Sequence, residues 1–244
     1  MKNGSESDDR ERVAKACRIL GKLDLTKAAT GHVSQRGADG RILIRARGPD
    51  ELGVRYTTAN EVIAVDINGK KLDGPDGLVP PQEVFIHTAV YRKRPEVKAV
   101  IHIHPPKVVI FTITNVPLQP IFGAYDPSGL NLILDGIPTY GRSITITDDQ
   151  LGAEFMQAMG DKRVCLMKGH GITTAGATLE EATVTAIKIN ELAEMHYHSY
   201  VVGKPEVISD EDIAHFKAKV FRKDKGPSVH LNPTWRYYAT LVGE

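Results

Sequence analysis

Cysteine is scarce in this chain: there are two in 244 residues, Cys17 and Cys165, far apart and in no CxxC pair. That argues against a disulfide framework and fits a reducing compartment. Long hydrophobic runs are missing too, and none approaches the roughly 20 apolar residues that span a bilayer. The opening segment, MKNGSESDDRERVAK, is polar and acidic and lacks the apolar stretch of a secretory leader. Neither sign of charge is in excess: 31 Lys and Arg against 30 Asp and Glu leave a net charge of +1, so neither nucleic acid nor a membrane is indicated as a partner. The expectation is a soluble, cytoplasmic protein.

What is present suits one large domain with a well-buried core: 41% of residues are hydrophobic and 25% charged, an ordinary globular balance. No repeat or mid-chain linker divides it. Residues 1–9 read as a disordered tail, residues 10–222 as the domain, and 223–244, with Trp235, Tyr237 and Tyr238, as an extension that packs on the domain or on a neighbouring subunit.

The apolar spacing of Val13, Ala14, Cys17, Leu20 and Leu23 predicts a helix from Arg10. The turn Gly37-Ala38-Asp39-Gly40 introduces a strand from Arg41 to Ala46, and Val62 to Ile67 is a second, closed by Asn68-Gly69. Glu83 opens a helix to about Lys93. Ala99 to His104 is a strand stopped by Pro105-Pro106, and Lys107 to Thr114 a short helix. Residues 115–146 alternate Pro and Gly with short apolar pieces. Asp148 or Asp149 caps a helix to Met159, and Val164 to Met167 is a buried strand. Thr178 with Glu181 forms a capping box for a helix to about Val201, and Ser209 with Asp212 starts another to about Arg222.

Chemistry concentrates in three places. In Ile101-His102-Ile103-His104, residues i and i+2 of a strand point to one face, so both imidazoles can bind one ion; the same pattern also describes two ordinary histidines on a half-buried strand. His170, between Gly169 and Gly171, reads by itself first as an exposed histidine in a tight turn, and alternatively offers a third ligand. Three histidines with one open position is the pattern of a catalytic zinc-type site, and neutral imidazole also suits manganese, cobalt or iron. Glu83, after Pro80-Pro81-Gln82, is by itself a favourable charge at a helix start. His87 lies one turn further along the same helix face, as core or as support for the site. His196 and His198, at i and i+2 of a helix, face apart.

In this order, Thr30-Gly31-His32-Val33-Ser34, Pro81-Gln82-Glu83, His102-Ile103-His104 and Gly169-His170-Gly171 resemble the class II aldolase/adducin family. The resemblance spans roughly residues 10 to 215. It implies a three-layer αβα fold with a mostly antiparallel central sheet, and a cyclic homotetramer with sites between subunits. It also implies one divalent metal ion per subunit on His102, His104 and His170, and Glu83 as the acid/base.

The departures from the sugar-phosphate members are informative. Their Gly-Asn-x-Ser, Thr-Gly and Ser-Ser segments cradle a phosphate; here the Asn is His32, the Thr-Gly pair is Arg47-Gly48 and the Ser-Ser pair is Pro81-Gln82. The small hydroxyl donors are gone, and proline has no N–H. In their place stand Arg45 and Arg47, with His32 and Ser34 nearby, a set suited to a carboxylate. Tyr125 is the nearest match to the family's active-site tyrosine from the next subunit.

The segment from Arg47 to Thr57, with Gly-His-Val-Ser, resembles the family's decarboxylase branch, which acts on hydroxylated aromatic or pyridine rings bearing adjacent carboxylates. The implied function is a metal-dependent carboxy-lyase with a small aromatic carboxylate as substrate. Ser34, Arg45, Arg47, Gly48, Gln82 and Tyr125 would bind it, and Glu83, or alternatively His32, would supply the proton. A second reading keeps the metal and runs aldolase or epimerase chemistry on a sugar phosphate or hydroxyketone. A third, a scaffold protein, predicts missing ligands, and here all three histidines and the glutamate are present.

Overall fold

The computed structural model describes residues 3–114, 116–220 and 231–243. Among them, eight strands form one sheet in the order β4-β3-β2-β1-β5-β8-β7-β6. These are β1 (His32–Arg36), β2 (Ile42–Arg45), β3 (Val62–Val65), β4 (Lys71–Asp73), β5 (Ala99–Ile103), β6 (Thr139–Tyr140), β7 (Val164–Met167) and β8 (Gly171–Gly176). Every neighbouring pair is antiparallel except β6 with β7, so the sheet is mostly antiparallel, as expected. The turn between β1 and β2 closes where Gly37 N–H donates to the Arg41 carbonyl at 2.8 Å. Asn68-Gly69 makes the next hairpin, with the Asp66 carboxylate accepting from the N–H groups of Asn68 and Lys70.

The helices are α1 (Asn3–Lys22), α2 (Val84–Lys93), α3 (Pro106–Ile113), α4 (Pro127–Ile133), α5 (Asp149–Met159), α6 (Leu179–Val202), α7 (Asp210–Val220) and α8 (Leu231–Thr240). Strand alternation divides the apolar residues between two cores. Leu43, Val62, Ala64 and Ile101 pack with α1 and α6, while Ile42, Ile44, Ile63, Val65 and Val100 pack with α2 and α5. Fully burying one such Ile contributes roughly 1.5–3 kcal/mol. No helix among the described residues is long and apolar enough to cross a membrane, and both cysteines are free and buried.

Two alignments position the site. Across the sheet, His32 of β1 stands opposite His102 of β5, which stands opposite Thr173 of β8. Along α2, Glu83 at the N-cap, His87 and Tyr91 recur every four residues and therefore share one face. That stripe lies over the row of β1 and β5.

Several expectations need correction. The tail expected to be disordered is helical from Asn3, and α1 is therefore longer than its apolar pattern. Acidic side chains in the first turns of a helix suit its dipole, and Asp9 further accepts hydrogen bonds from Arg12 and from Gln35 of β1; residues 1–2 lie outside the described residues. Strand β8 was not anticipated, nor were α4 and β6 within residues 115–146. The helix expected to reach Arg222 is described to Val220, and 221–230 lie outside the described residues. Within the C-terminal extension, α8 packs on this same domain: Ala239 is buried, Trp235 and Tyr238 lie against the core, and the Tyr238 hydroxyl donates to Glu191 of α6 at 2.7 Å.

Candidate active site

Glu83, His102, His104 and His170 each offer one ligand atom, and these atoms lie within 4.8 Å of one another. His102 Nε2 is 2.9 Å from His104 Nε2 and 3.5 Å from Glu83 Oε2, which is 3.4 Å from His170 Nε2. Ligands of a tetrahedral ion at about 2.0–2.1 Å stand about 3.3 Å apart, so these separations fit one shared ion. The donor set, three imidazoles and a carboxylate, suits zinc, manganese, cobalt or iron.

Local structure explains each placement. His102 is buried mid-strand, and its Nδ1 is 3.2 Å from the Thr173 hydroxyl. His104 follows the end of β5, where Pro105 and Pro106 turn the chain into α3. His170 sits in the tight connection from β7 to β8. A Cβ on Gly171 would lie 2.2 Å from the Ile103 carbonyl oxygen, so only glycine permits this approach to β5. Gly169, with φ +57°, donates its N–H to Thr112 Oγ1 at 3.0 Å. His170 Nδ1 is buried without a hydrogen-bond partner among the described residues. Glu83 is reached through a bridge in which Arg47 and Val79 exchange backbone hydrogen bonds of 2.8 and 2.9 Å, followed by Pro80-Pro81. Its Oε1 accepts from the Ile146 N–H at 3.0 Å, leaving Oε2 toward the histidines.

Burial favours the neutral forms of His102 and His104, with their lone pairs available to a cation. It is the largest cause for His102, held well below the ordinary histidine value with help from His32 and His104, and for His104, pushed down to about 4 with help from His170. His32 is likewise held well below its ordinary value, by burial first and then by His87 and His104.

A cavity of about 420 Å³ opens beside the cluster, lined by His32, Arg47, Gln82, Glu83, His104 and Thr145 among others. A slightly larger space, about 470 Å³, lies between α4, α6 and α8 and contains none of the four ligating residues.

The structure thus brings together His32, Arg47, Gln82, Glu83 and His104 at one cavity, with His102 and His170 completing the cluster. It does not bring Ser34, Arg45, Gly48 or Tyr125 there. Ser34 is fully buried beneath α2 and bonds to His87 and Tyr91. Arg45 is 1% exposed and its guanidinium donors are engaged: Nε to Thr57, Nη1 to the Ala29 and Gly31 carbonyls, and Nη2 to Glu51 at 2.5 Å. It braces the 29–31 loop rather than facing a ligand. Gly48 packs against Leu78, where a Cβ would be 2.5 Å from that side chain. Tyr125 is 74% exposed and edges onto Phe122, at a different pocket.

Arg47 is half-buried and pairs with Glu51 Oε1 at 2.8 Å and with the Ala29 carbonyl. One carboxylate, Glu51, therefore holds both arginines. Sequence reasoning missed Thr145, the Ile146 N–H and Thr173. The available signals were strand pairing for Thr173, and for Tyr91 the four-residue recurrence after Glu83 and His87.

Residues 11–197 match the family model for the class II aldolase and adducin N-terminal domain. The chain is 36% identical to 3,4-dihydroxyphthalate decarboxylase of Arthrobacter keyseri, over 93% of this chain and 91% of that protein. It is 35% identical to the protein of the same name from Terrabacter sp. (strain DBF63), over 99% and 100%. Among solved structures, an aldolase II superfamily protein from Pseudomonas syringae superposes with a TM-score of 0.84 at 23% identity, covering 98% of this chain and 94% of that one.

Proposed function

The chain belongs to the class II aldolase and adducin family, and from that premise we propose that it is a lyase that removes one carboxylate from a hydroxylated aromatic ring bearing two adjacent carboxylates, as in 3,4-dihydroxyphthalate. The observation that carries this reading is a single cavity with a metal-ligating edge, Glu83 and His104, and a cationic edge, Arg47. That juxtaposition suits a substrate with one carboxylate to be retained and another to be lost.

His102, His104 and His170 would hold the divalent ion, with Glu83 at its side. When bound, the ion supplies a Lewis acid that draws the negative charge left on carbon toward a substrate oxygen. Arg47 orients the ring by gripping the retained carboxylate, and its pairing with Glu51 fixes the guanidinium in place. Gln82, exposed at the cavity, adds an amide contact. As the carbon–carbon bond breaks and carbon dioxide departs, Glu83 delivers a proton to the ring carbon. Its Oε1 is held by the Ile146 N–H, so Oε2 is the oxygen that faces the reacting region.

Helices packed against both faces of the sheet support a three-layer αβα arrangement. The exposed Tyr125, Tyr200, Val201 and Val202 support a homo-oligomer, a tetramer by family resemblance, in which Tyr125 serves a neighbouring subunit. The free thiols support a reducing cytoplasm.

The test incubates metal-loaded protein with 3,4-dihydroxyphthalate and, separately, with fuculose phosphate. Carbon dioxide and dihydroxybenzoate from the first are expected. Aldehyde from the second, with no carbon dioxide from the first, overturns the reading in favour of aldolase chemistry.

A further inference from the structure

A buried line of polar groups runs from the core to the cavity through Tyr91, Ser34, His87 and His32. The Tyr91 hydroxyl is 2.8 Å from Ser34 Oγ, Ser34 Oγ is 2.6 Å from His87 Nδ1, and His87 Nε2 is 2.7 Å from His32 Nδ1. Neither the metal cluster nor the Arg47 edge accounts for this line.

Its direction can be read from the closed end. The Tyr91 hydroxyl oxygen meets the Val100 backbone, whose bond favours the ionised phenol and so comes from an N–H, and its one side-chain partner among the described residues is Ser34 Oγ. A buried O–H without an acceptor is strongly unfavourable, so Tyr91 donates to Ser34. Ser34 can place its own proton on His87 Nδ1 at 2.6 Å or on the Val100 carbonyl at 3.4 Å. The second distance is too long for a good O–H···O bond, so Ser34 donates to His87. A nitrogen that accepts carries no proton; neutral His87 therefore bears its proton on Nε2 and donates to His32 Nδ1. Burial, which pushes His87 down to about 3, agrees with its neutrality. By the same step, the proton of neutral His32 lies on Nε2. That nitrogen has no hydrogen-bond partner among the described residues, and its ring lines the cavity.

We infer that Tyr91, Ser34 and His87 are positioning residues that fix His32 with its proton on Nε2, so that His32 offers a hydrogen-bond donor to an anionic substrate oxygen and does not protonate the ring carbon. The inference rests on the proposed reaction at this same site. A neutral imidazole N–H is a donor but a very weak acid, and behind His32 the line ends at Tyr91 in the core, so no proton reaches it from that side. Carbon protonation is left to Glu83.

Neutron diffraction from deuterium-exchanged crystals of the zinc-loaded full-length chain reads the tautomer directly. Deuterium on His32 Nε2 and on His87 Nε2 is expected; deuterium on His32 Nδ1 overturns the inference. Kinetics with 3,4-dihydroxyphthalate read the role. Ser34→Ala should raise KM about tenfold, the worth of one hydrogen bond to an anion, while still binding one equivalent of metal. His32→Asn, which keeps an N–H donor, should stay within about threefold of the wild-type KM, and His32→Ala should exceed it by about tenfold or more. A wild-type KM in Ser34→Ala, or a collapse of kcat equal in both His32 variants, contradicts the donor role. If Ser34→Ala does not fold, the His32 pair and the neutron map still decide. If the wild-type protein releases no carbon dioxide, the proposed reaction fails, while the deuterium positions still judge the tautomer.

Discussion

Thr173 faces His102 across the β5–β8 pairing, and its hydroxyl lies 3.2 Å from His102 Nδ1. The threonine's own proton is directed to Met167 Sδ at 3.4 Å, so the hydroxyl oxygen accepts from His102 and turns the Nε2 lone pair toward His104 and Glu83. A partner of this kind fixes both the tautomer and the orientation of a ligating imidazole. Thr173→Val keeps the shape and removes the acceptor. It should weaken divalent-metal affinity about tenfold, measured by competition with a chromophoric chelator. Unchanged affinity would show that strand packing alone orients the ring.

The two arginines on Glu51 should separate cleanly. Arg47 is at the cavity and half-buried, whereas Arg45 is enclosed. Arg47→Ala should raise KM for the dicarboxylate about tenfold or more by loss of a charge-assisted contact, with metal binding intact. Arg45→Met should cost about 3–5 kcal/mol of stability, because it leaves Glu51 and the Ala29 and Gly31 carbonyls short of a buried partner. Steady-state kinetics and denaturant unfolding of both variants check the contrast. An Arg45 variant of normal stability, or an Arg47 variant of normal KM, contradicts it.

Gly171→Ala tests the glycine frame of His170. The added methyl meets the Ile103 carbonyl oxygen at 2.2 Å and His104 Cδ2 at 2.8 Å, so two ligands must move apart. Metal binding should be lost along with stability, read by thermal unfolding with and without added metal. A variant that still gains stability on adding metal contradicts this account of the turn.

Much of this was legible in the chain itself, for identifiable reasons. Asp148 accepts from Leu151 N–H and Thr178 from Glu181 N–H, so local capping chemistry marked α5 and α6 correctly. Val164–Met167 stood out as a short apolar run. The segment Gly171-Ile-Thr-Thr-Ala-Gly176 is short, closed by glycine at both ends and lacks a clean apolar alternation, so it did not stand out as a strand. Yet Thr174 donates to the Ala182 carbonyl and Thr173 bonds His102, so both are buried and satisfied. At the site, the ligands were visible as residue types. The fate of Arg45 and Ser34 was not, because it depends on what covers each strand: the 29–31 loop over one and α2 over the other.

Acid should destabilise the chelator-stripped protein through His87. Its folded value, about 3, lies below the ordinary 6.5, so between those limits the unfolded chain binds more protons. The stability tied to its neutral form is complete above pH 6.5 and is lost as pH falls toward 3, with a slope of up to about 1.4 kcal/mol per pH unit for this group. Unfolding midpoints between pH 7 and pH 4 check the sign, and His87→Gln should flatten the dependence. Stability that rises on acidification contradicts a buried neutral His87.

Metal add-back tests the central claim, that Glu83 and three histidines, in β5, just beyond its end and in the β7–β8 turn, serve one ion and one decarboxylation. Chelator-stripped protein is titrated with zinc, manganese, cobalt or iron(II) while carbon dioxide release from 3,4-dihydroxyphthalate is followed. Release should be absent at first, rise linearly and break at one equivalent per chain with at least one of these metals, and His170→Ala should recover none of it. Full activity in the stripped protein, or a His170→Ala variant restored like the wild type, would contradict the account.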